Sequence, residues 1–200
     1  MDDGGFFGTN KSGDGHTQGN ANLHNNKHKE GSNAVLIRTV GWGSGNTASS
    51  KTSGQYFGTC QNTTPGELFL GTYNGSANYG ISFGSRPAGL SFWYHYDVVS
   101  SGNGDYGTVE IKVFDAAGEV IAEAAKQLTE QSGYTQCTPA AHIQRYYQKA
   151  SKISVIFKSS ANSAALEHNT KYWHCPGVKN VSGGEYVGSE LYVDDIQLIY

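Results

Sequence analysis

The sequence has little charge, few cysteines and no long apolar run, and each shortage excludes a class of protein. Charged residues make up 16% of the 200 residues, and the net charge of -3 provides no basic surface of the kind that binds nucleic acid. No stretch approaches the roughly 18 apolar residues that a membrane-spanning helix needs. Runs of Leu, Ala, Glu and Lys are also scarce, which argues against a helical bundle.

The three cysteines, Cys60, Cys137 and Cys175, lie far apart and form no CxxC pair. This spacing argues against a zinc site built from thiolates. We expect inert thiols that pack as small apolar side chains. A disulfide between Cys60 and Cys175 is the alternative, and an odd count leaves at least one thiol unpaired.

Motifs for nucleophilic catalysis and for phosphate binding are absent. The sequence contains no G-x-S-x-G, and its glycine-rich stretches follow no strand-to-helix transition. Glycoside hydrolysis would need a pair of carboxylates instead. Glu110, Asp97 and Asp105 are the nearest candidates, and no feature of the sequence singles out a pair.

The sequence is rich in glycine, with 27 residues, and in tyrosine, with 13. Apolar and polar residues alternate in Gly89–Val99, Gly107–Phe114 and Ser151–Ser159, which is typical of strands with one buried face. Further strands are predicted at Asn33–Val40, Glu67–Tyr73, Tyr79–Phe83, Glu119–Leu128 and Ser189–Tyr200.

Many short alternating segments separated by turn residues predict an all-β protein, an antiparallel β-sandwich of jelly-roll type. We expect one domain over residues 1–200, of which 1–32 are an irregular, polar lead-in. Ala122–Gln131 also suits a helix by propensity, but it follows a hairpin turn and continues a strand pattern.

Three segments together resemble one family. They are SRPAGLSFWYHY from Ser85, KASKISVIFKSS from Lys149 and GSELYVDDIQLIY from Gly188, with the hairpin FDAAG from Phe114 between the first two. In order and spacing they resemble the "putative carbohydrate metabolism domain" of surface and secreted proteins of gut Bacteroidetes, over roughly residues 33–200.

The resemblance implies a jelly roll like that of carbohydrate-binding modules, with a galactose-binding-like fold. It also implies export to the cell surface, as a lipoprotein anchored in the outer membrane or as a secreted protein. Met1–Gly5 shows no signal peptide, so we expect this chain to be the C-terminal domain of a longer exported protein. Two segments, Cys137–Gln148 and Ser160–Glu185, depart from the family pattern and are expected to reshape any binding face.

The outward face of the predicted strand Gly89–Val99 is the first candidate for a ligand site. Alternation places Trp93 and His95 on that face, and a neighbouring strand would add Glu110 and Lys112. An indole on which a sugar ring stacks, with polar groups for its hydroxyls, suits a carbohydrate. The alternative is that Trp93 is covered by the lead-in or by the Ser160–Glu185 loop.

Loop residues form the second candidate. Trp42 lies between glycines, and Trp173 lies in a long predicted loop, so either could line a groove or close one end of the sandwich. His142 and Gln144 are further candidates for hydrogen bonds to a glycan.

Asp194 and Asp195 are adjacent acids inside an apolar strand, where charge is costly unless it is paired or coordinated. Alternation allows only one of them to face inward unless a bulge intervenes. A structural Ca²⁺ ion is one explanation, with oxygen ligands from Asp2, Asp3 or the 10–14 region. Capping of backbone N–H groups, or pairing with Arg38 or Lys158, is the other.

The leading functional hypothesis is a non-catalytic, monomeric module that binds an oligo- or polysaccharide by stacking it on aromatic side chains. It requires no organic cofactor and no nucleic acid. A glycoside hydrolase is the second hypothesis, and it needs two carboxylates across a cleft. A structural or adhesion module of a larger surface protein is the third.

Overall fold

The computed structural model describes residues 7–9, 21–24, 33–44, 60–73, 76–98, 104–145, 147–161 and 185–200. Every regular element among them is a strand, and none of these residues forms a helix long and apolar enough to cross a membrane. The strands are β1 (Phe7–Thr9), β2 (Ala21–His24), β3 (Ala34–Ser44), β4 (Cys60–Thr64), β5 (Glu67–Tyr73), β6 (Ala77–Tyr79), β7 (Ile81–Ser82), β8 (Gly89–Asp97), β9 (Gly107–Phe114), β10 (Val120–Leu128), β11 (Thr135–Cys137), β12 (His142–Ile143), β13 (Lys152–Lys158) and β14 (Glu185–Ile199).

These strands form two antiparallel sheets. The first has the order β1-β5-β13-β9-β10-β12, with β6 beside β5 and β7 beside β13. The second has the order β11-β8-β14-β3-β2, with β4 beside β3. The chain passes repeatedly from one sheet to the other, as in a jelly roll. The predicted all-β antiparallel sandwich is confirmed, and most of Ala122–Gln131, for which a helix was the alternative, lies in strand β10. The predicted lead-in 1–32 is not irregular throughout, because β1 and β2 lie within it.

The core lies between the sheets and is built from the predicted inward faces. In β9, Val109, Ile111 and Val113 are at most 1% exposed, whereas the residues between them are half-buried. The second sheet contributes Leu90, Phe92, Tyr94 and Tyr96 of β8, and Phe92 packs edge-on against Phe157 of β13 with ring centroids 5.0 Å apart. Period-2 alternation thus assigned the inward faces of β8, β9 and β13 correctly.

The hairpin between β9 and β10 is fixed by Asp115. Its Oδ1 accepts hydrogen bonds from the backbone N–H groups of Ala117 and Glu119, at 2.9 and 3.0 Å. Gly118 has a positive φ of 84°, a conformation that glycine adopts without strain. This turn sets the register in which Glu110 lies opposite Ala125.

The Asp194–Asp195 pair forms a β-bulge. Asp194 pairs with Trp93 and Gln197 with Ser91, so β14 advances three residues while β8 advances two. Asp195 has φ 49°, the only positive φ of a non-glycine residue in the described part of the chain. The extra residue keeps Asp195 out of the core, which is how two adjacent acids are accommodated in an apolar strand.

Cys137 is a half-buried free thiol, and burial raises its pKa. The side chain of Cys60 and the whole of Cys175 lie outside the described residues, so the predicted Cys60–Cys175 alternative stays a prediction.

Candidate functional site

The predicted grouping of Trp93 and His95 with Glu110 and Lys112 is wrong. Strand β8 lies between β11 and β14 in the second sheet, whereas β9 lies between β13 and β10 in the first. All four side chains point away from the core, so Trp93 and His95 lie on one outer face of the sandwich and Glu110 and Lys112 on the opposite one. Strands β8 and β9 follow each other along the chain but belong to different sheets. Alternation within a strand does not show to which sheet the strand belongs.

Trp93 is half-buried and His95 is buried on the outer face of the second sheet. The His95 ring lies between Tyr134 and Tyr192, with centroid distances of 5.9 and 5.7 Å. Its Nε2 is 2.8 Å from Oδ1 of Asp97. His95 is therefore engaged by packing and by a carboxylate, whereas the half-buried Trp93 and the exposed Gln136 opposite it keep part of their surface accessible.

The prediction that Trp42 is a loop residue is wrong, because Trp42 lies within a strand. Trp42 lies in β3, where its backbone pairs with Asn62, but its side chain is outside the described residues, as is the whole of Trp173. The roles of Trp42 and Trp173 in a ligand site both stay predictions.

The outer face of the first sheet carries a groove that crosses the strands. The register places Ile156, Glu110 and Ala125 in one row, and Lys158, Thr108 and Gln127 in the next. A depression of about 430 Å³ lies over these rows and is also lined by Tyr79 and Tyr106.

A second depression of about 360 Å³ continues toward the sheet edge, where it is lined by Glu123, Pro139 and His142. The two depressions share Glu110, Ala125 and Lys126. We call them together the outer groove, which runs from Tyr79 of β6 to His142 of β12.

Tyr79 forms one end of the outer groove and is held in place by its neighbours. Its ring meets the buried Phe69 edge-on, with centroids 5.0 Å apart and an interplanar angle of 75°. Its hydroxyl donates a 2.7 Å hydrogen bond to Oε2 of Glu67, whose Oε1 lies 2.8 Å from Nζ of Lys158. Burial, together with the hydrogen bond and the charge of Glu67, raises the pKa of Tyr79, so this phenol stays protonated at neutral pH.

Two carboxylates, in the middle and at the far end of the groove, each accept a hydrogen bond from a neighbouring side chain. Nζ of Lys112 is 2.6 Å from Oε2 of Glu110, and the side-chain amide of Gln144 donates to Oε1 of Glu123. Glu123 lies opposite Lys112 on one side and His142 on the other, so these side chains share one face. The carboxylates of Glu110 and Glu123 therefore line the groove, and Lys112 and Gln144 beside it donate to them.

The structure thus brings together four of the predicted ligand-binding residues: Glu110, Lys112, His142 and Gln144. The residues that sequence analysis missed are Tyr79, Tyr106, Glu67, Lys158, Glu123 and Lys126. The alternation of β13 already placed Lys158 on the outward face. Tyr79 gave no comparable signal, because its position depends on β6 folding back along β5.

The predicted calcium ligands are only partly described. Asp194 is 3% exposed, and its Oδ1 accepts a 2.8 Å hydrogen bond from the backbone N–H of Asp195. Oδ1 of Asp195 accepts from the amide of Gln197 at 2.7 Å. Within the described ranges, no three His, Cys, Asp or Glu side chains are grouped to hold a metal ion. The residues at 2–3 and 10–14 lie outside those ranges, so calcium stays a prediction.

Comparison with known proteins gives structural matches alone. No family model and no curated protein matches the sequence, so membership of the "putative carbohydrate metabolism domain" and an origin in Bacteroidetes stay predictions. Solved structures that resemble the chain include a family 16 carbohydrate-binding module, at TM-score 0.45 and 11% identity over 96% of this chain and 90% of that one.

Two further matches are carbohydrate-binding modules. TmCBM61 in complex with β-1,4-galactotriose matches at TM-score 0.42 and 10% identity, over 96% of this chain and 86% of that one. The CBM22-1 xylan-binding domain of Xyn10C from Paenibacillus barcinonensis matches at TM-score 0.37 and 11% identity, over 90% of this chain and 80% of that one. At such identities, single residues of these modules are not matched to residues of this chain.

Proposed function

We propose that the protein is a non-catalytic module that binds a glycan chain in the outer groove. The observation that carries the proposal is the groove itself, which combines a fixed tyrosine ring at one end with the carboxylates of Glu110 and Glu123 and the amines of Lys126 and Lys158 in its lining. An open groove admits a polymer, whereas a closed pocket admits only a small molecule or a chain end.

The chemistry of the lining suits a saccharide. The C–H face of a pyranose packs on an aromatic ring such as that of Tyr79, and Ile156 and Ala125 supply apolar floor beside it. Adjacent hydroxyls of a sugar both donate and accept, which matches the pairing of Glu110 with Lys112 and of Glu67 with Lys158. Hydrogen bonds to charged partners are the stronger ones.

The ion pairs also restrict the side chains before a ligand arrives. Lys112 and Lys158 lose rotamer freedom when they pair with Glu110 and Glu67, so less entropy is lost on binding. Because the pairs face solvent, they contribute little to folding by themselves.

Affinity measurements on groove variants test the proposal. A glycan array first identifies a ligand, and titration calorimetry then compares variants with the wild type. Glu110→Gln should weaken binding roughly 10- to 100-fold, because a charged acceptor is lost. Tyr79→Leu keeps Phe69 covered but removes the ring, and should weaken binding about 2- to 10-fold.

Glu130→Gln is the matched control, since Glu130 is exposed in the loop after β10 and lines neither depression of the groove. Unchanged affinity in Glu110→Gln and in Tyr79→Leu would contradict the proposal.

Trp93 marks a competing site for the same function. It is half-buried on the opposite outer face, beside Gln136, whose amide donates to Oγ of Ser91 at 3.1 Å. If the glycan stacks on Trp93 instead, Trp93→Ala abolishes glycan retention and leaves the fold intact, while the groove variants bind normally. The roles of Trp42 and Trp173 belong to the same alternative.

Glycoside hydrolysis is the second candidate function, and one observation favours it. Glu110 and Glu123 both line the second depression, and the register places them diagonally across β9 and β10, with a Cα spacing of about 7–8 Å for such pairs. Two carboxylates across a cleft are the apparatus of glycosidases. The test is whether the wild-type protein releases reducing ends from the bound glycan and whether Glu123→Gln loses this activity. Both results together would establish an enzyme and contradict the proposal of a non-catalytic module.

We also propose an extracytoplasmic setting for this function: a module at the bacterial cell surface or in a secreted protein, joined to other domains. The support is the resemblance of the Ser85, Lys149 and Gly188 segments to a family of surface and secreted proteins. Fractionation of cells that express the full gene, with detection of the protein in the outer membrane or the medium, tests it.

A further inference from the structure

A cavity of about 160 Å³ lies between the two sheets at one end of the sandwich, separate from the outer groove. Its floor consists of core side chains from both sheets, Leu70, Leu90, Ile153 and Val155, which are at most 7% exposed. All of the residues that line it are apolar, so a water molecule inside would find no hydrogen-bond partner among their side chains.

The rim of the cavity is different from its floor. Ile81, Phe83, Ile196 and Leu198 form it, and each of them is only partly buried. Ile81 belongs to the two-residue strand β7, which is held by its pairing with the start of β13. The backbone N–H of Phe83 adds a 3.0 Å hydrogen bond to the carbonyl of Ser151, and the partly exposed rim leaves the cavity open to solvent.

The bulge in β14 shapes one wall of this cavity. Because Asp195 takes a left-handed conformation, the residue after it, Ile196, packs against the core side and Leu198 returns to register opposite Leu90. Bulges and non-glycine residues with positive φ are concentrated at functional sites, where they re-aim side chains. Here the re-aimed side chain is part of the cavity rim.

We propose that this cavity is a binding site for a small, uncharged, apolar molecule of about the size of one six-membered ring. The volume supports that size, because an engineered, enclosed apolar cavity of about 150 Å³ binds benzene, and this cavity, which is open at its rim, has a similar volume. The lining supports the chemistry, because a polar or charged ligand would lose its hydration without compensation. The site does not depend on glycan binding, and its occupant enters past the Ile81–Phe83 rim.

Thermal unfolding of the full chain with benzene as the probe tests the site. Benzene should raise the midpoint of unfolding in a saturable way, because it binds the folded state alone. Naphthalene, which has two fused six-membered rings, should give no saturable shift. An absent or non-saturating response to benzene would overturn the proposal.

Two variants that fill the cavity from its rim test the position of the site. Ile196→Phe and Leu198→Phe should each abolish the benzene shift. Ile143→Phe is the matched control, because Ile143 is partly buried against the core but does not line the cavity, and it should keep the shift. A shift that persists in both filled variants would place benzene elsewhere and refute the assignment.

If a phenylalanine variant fails to fold, Val155→Ala tests the site by enlarging the cavity instead of filling it. Val155 lies in the floor, so its truncation enlarges the cavity and should admit naphthalene with a saturable shift. Methyl resonances of Ile196 and Leu198 should move on titration with benzene in the wild type. A response confined to other methyl groups would contradict the proposed position.

Discussion

Thr39 and Ser159 join the two sheets through a hydrogen bond of 2.8 Å between their hydroxyl oxygens. Thr39 belongs to β3 of the second sheet and Ser159 follows β13 of the first, and both are completely buried. Oγ of Ser159 also accepts the N–H of Gly66 at 2.9 Å, and its carbonyl accepts the hydroxyl of Tyr96 at 2.9 Å. A network of polar groups thus holds one end of the sandwich together.

Ser159→Ala should destabilise the protein by about 1–3 kcal/mol, since it leaves the buried hydroxyl of Thr39 and the N–H of Gly66 without this partner. Chemical denaturation measures the loss. The double variant with Thr39→Val should cost less than the sum of the single variants, because the orphaned hydroxyl is then also removed. Strict additivity would show that the two residues are not coupled.

Stability should fall as the pH rises above about 10. Burial is the main cause that raises the pKa of Tyr96, Tyr134 and Tyr192 in the folded protein. A group whose folded pKa is raised binds its proton more tightly when folded. Its stabilisation is therefore complete below the unfolded pKa and is lost as the pH climbs toward the folded one.

Tyr96→Phe removes one of these titrations and should make the decline in stability between pH 9 and about 12 shallower, by up to about 1.4 kcal/mol per pH unit. Tyr147→Phe is the control, because Tyr147 is fully exposed. Urea denaturation at a series of pH values measures both slopes. Equal slopes in wild type and Tyr96→Phe would contradict the assignment.

Removal of calcium should lower the melting temperature if Asp194 is a ligand. The prediction is a lower midpoint in millimolar chelator than in added Ca²⁺, and no such difference in Asp194→Asn, since a neutral amide is a weaker oxygen ligand. A wild-type melting temperature that does not move with chelator removes the calcium hypothesis and leaves Asp194 as the acceptor of the Asp195 N–H.

The sequence predicted each strand's faces well and its neighbours poorly. Alternation identified Val109, Ile111 and Val113 as inward and Glu110 and Lys112 as outward, because one face of a strand is excluded from water. It did not reveal that β8 and β9 belong to different sheets. Both sheets have an apolar inner face and a polar outer one, so the pattern is the same in either.

The candidate site was therefore predicted only in part. Glu110, Lys112, His142 and Gln144 were identified and are close together, but Trp93 was assigned to the same face and lies on the opposite one. Glu67 meets Lys158 through the pairing of β5 with the distant strand β13, and Tyr79 reaches the groove through the β5–β6 hairpin. Alternation within a single strand reveals neither contact. The bulge at Asp194 and Asp195 was considered as an alternative to one inward-facing acid, and the structure shows the bulge.

Backbone amide NMR during titration with a glycan identified on the array tests the central claim most directly. The account predicts that the largest shift changes cluster at Tyr79, Glu110, Ala125 and Ile156, along the outer groove of the first sheet. A cluster around Trp93 and Gln136 on the second sheet, or an array on which no glycan binds, would contradict it.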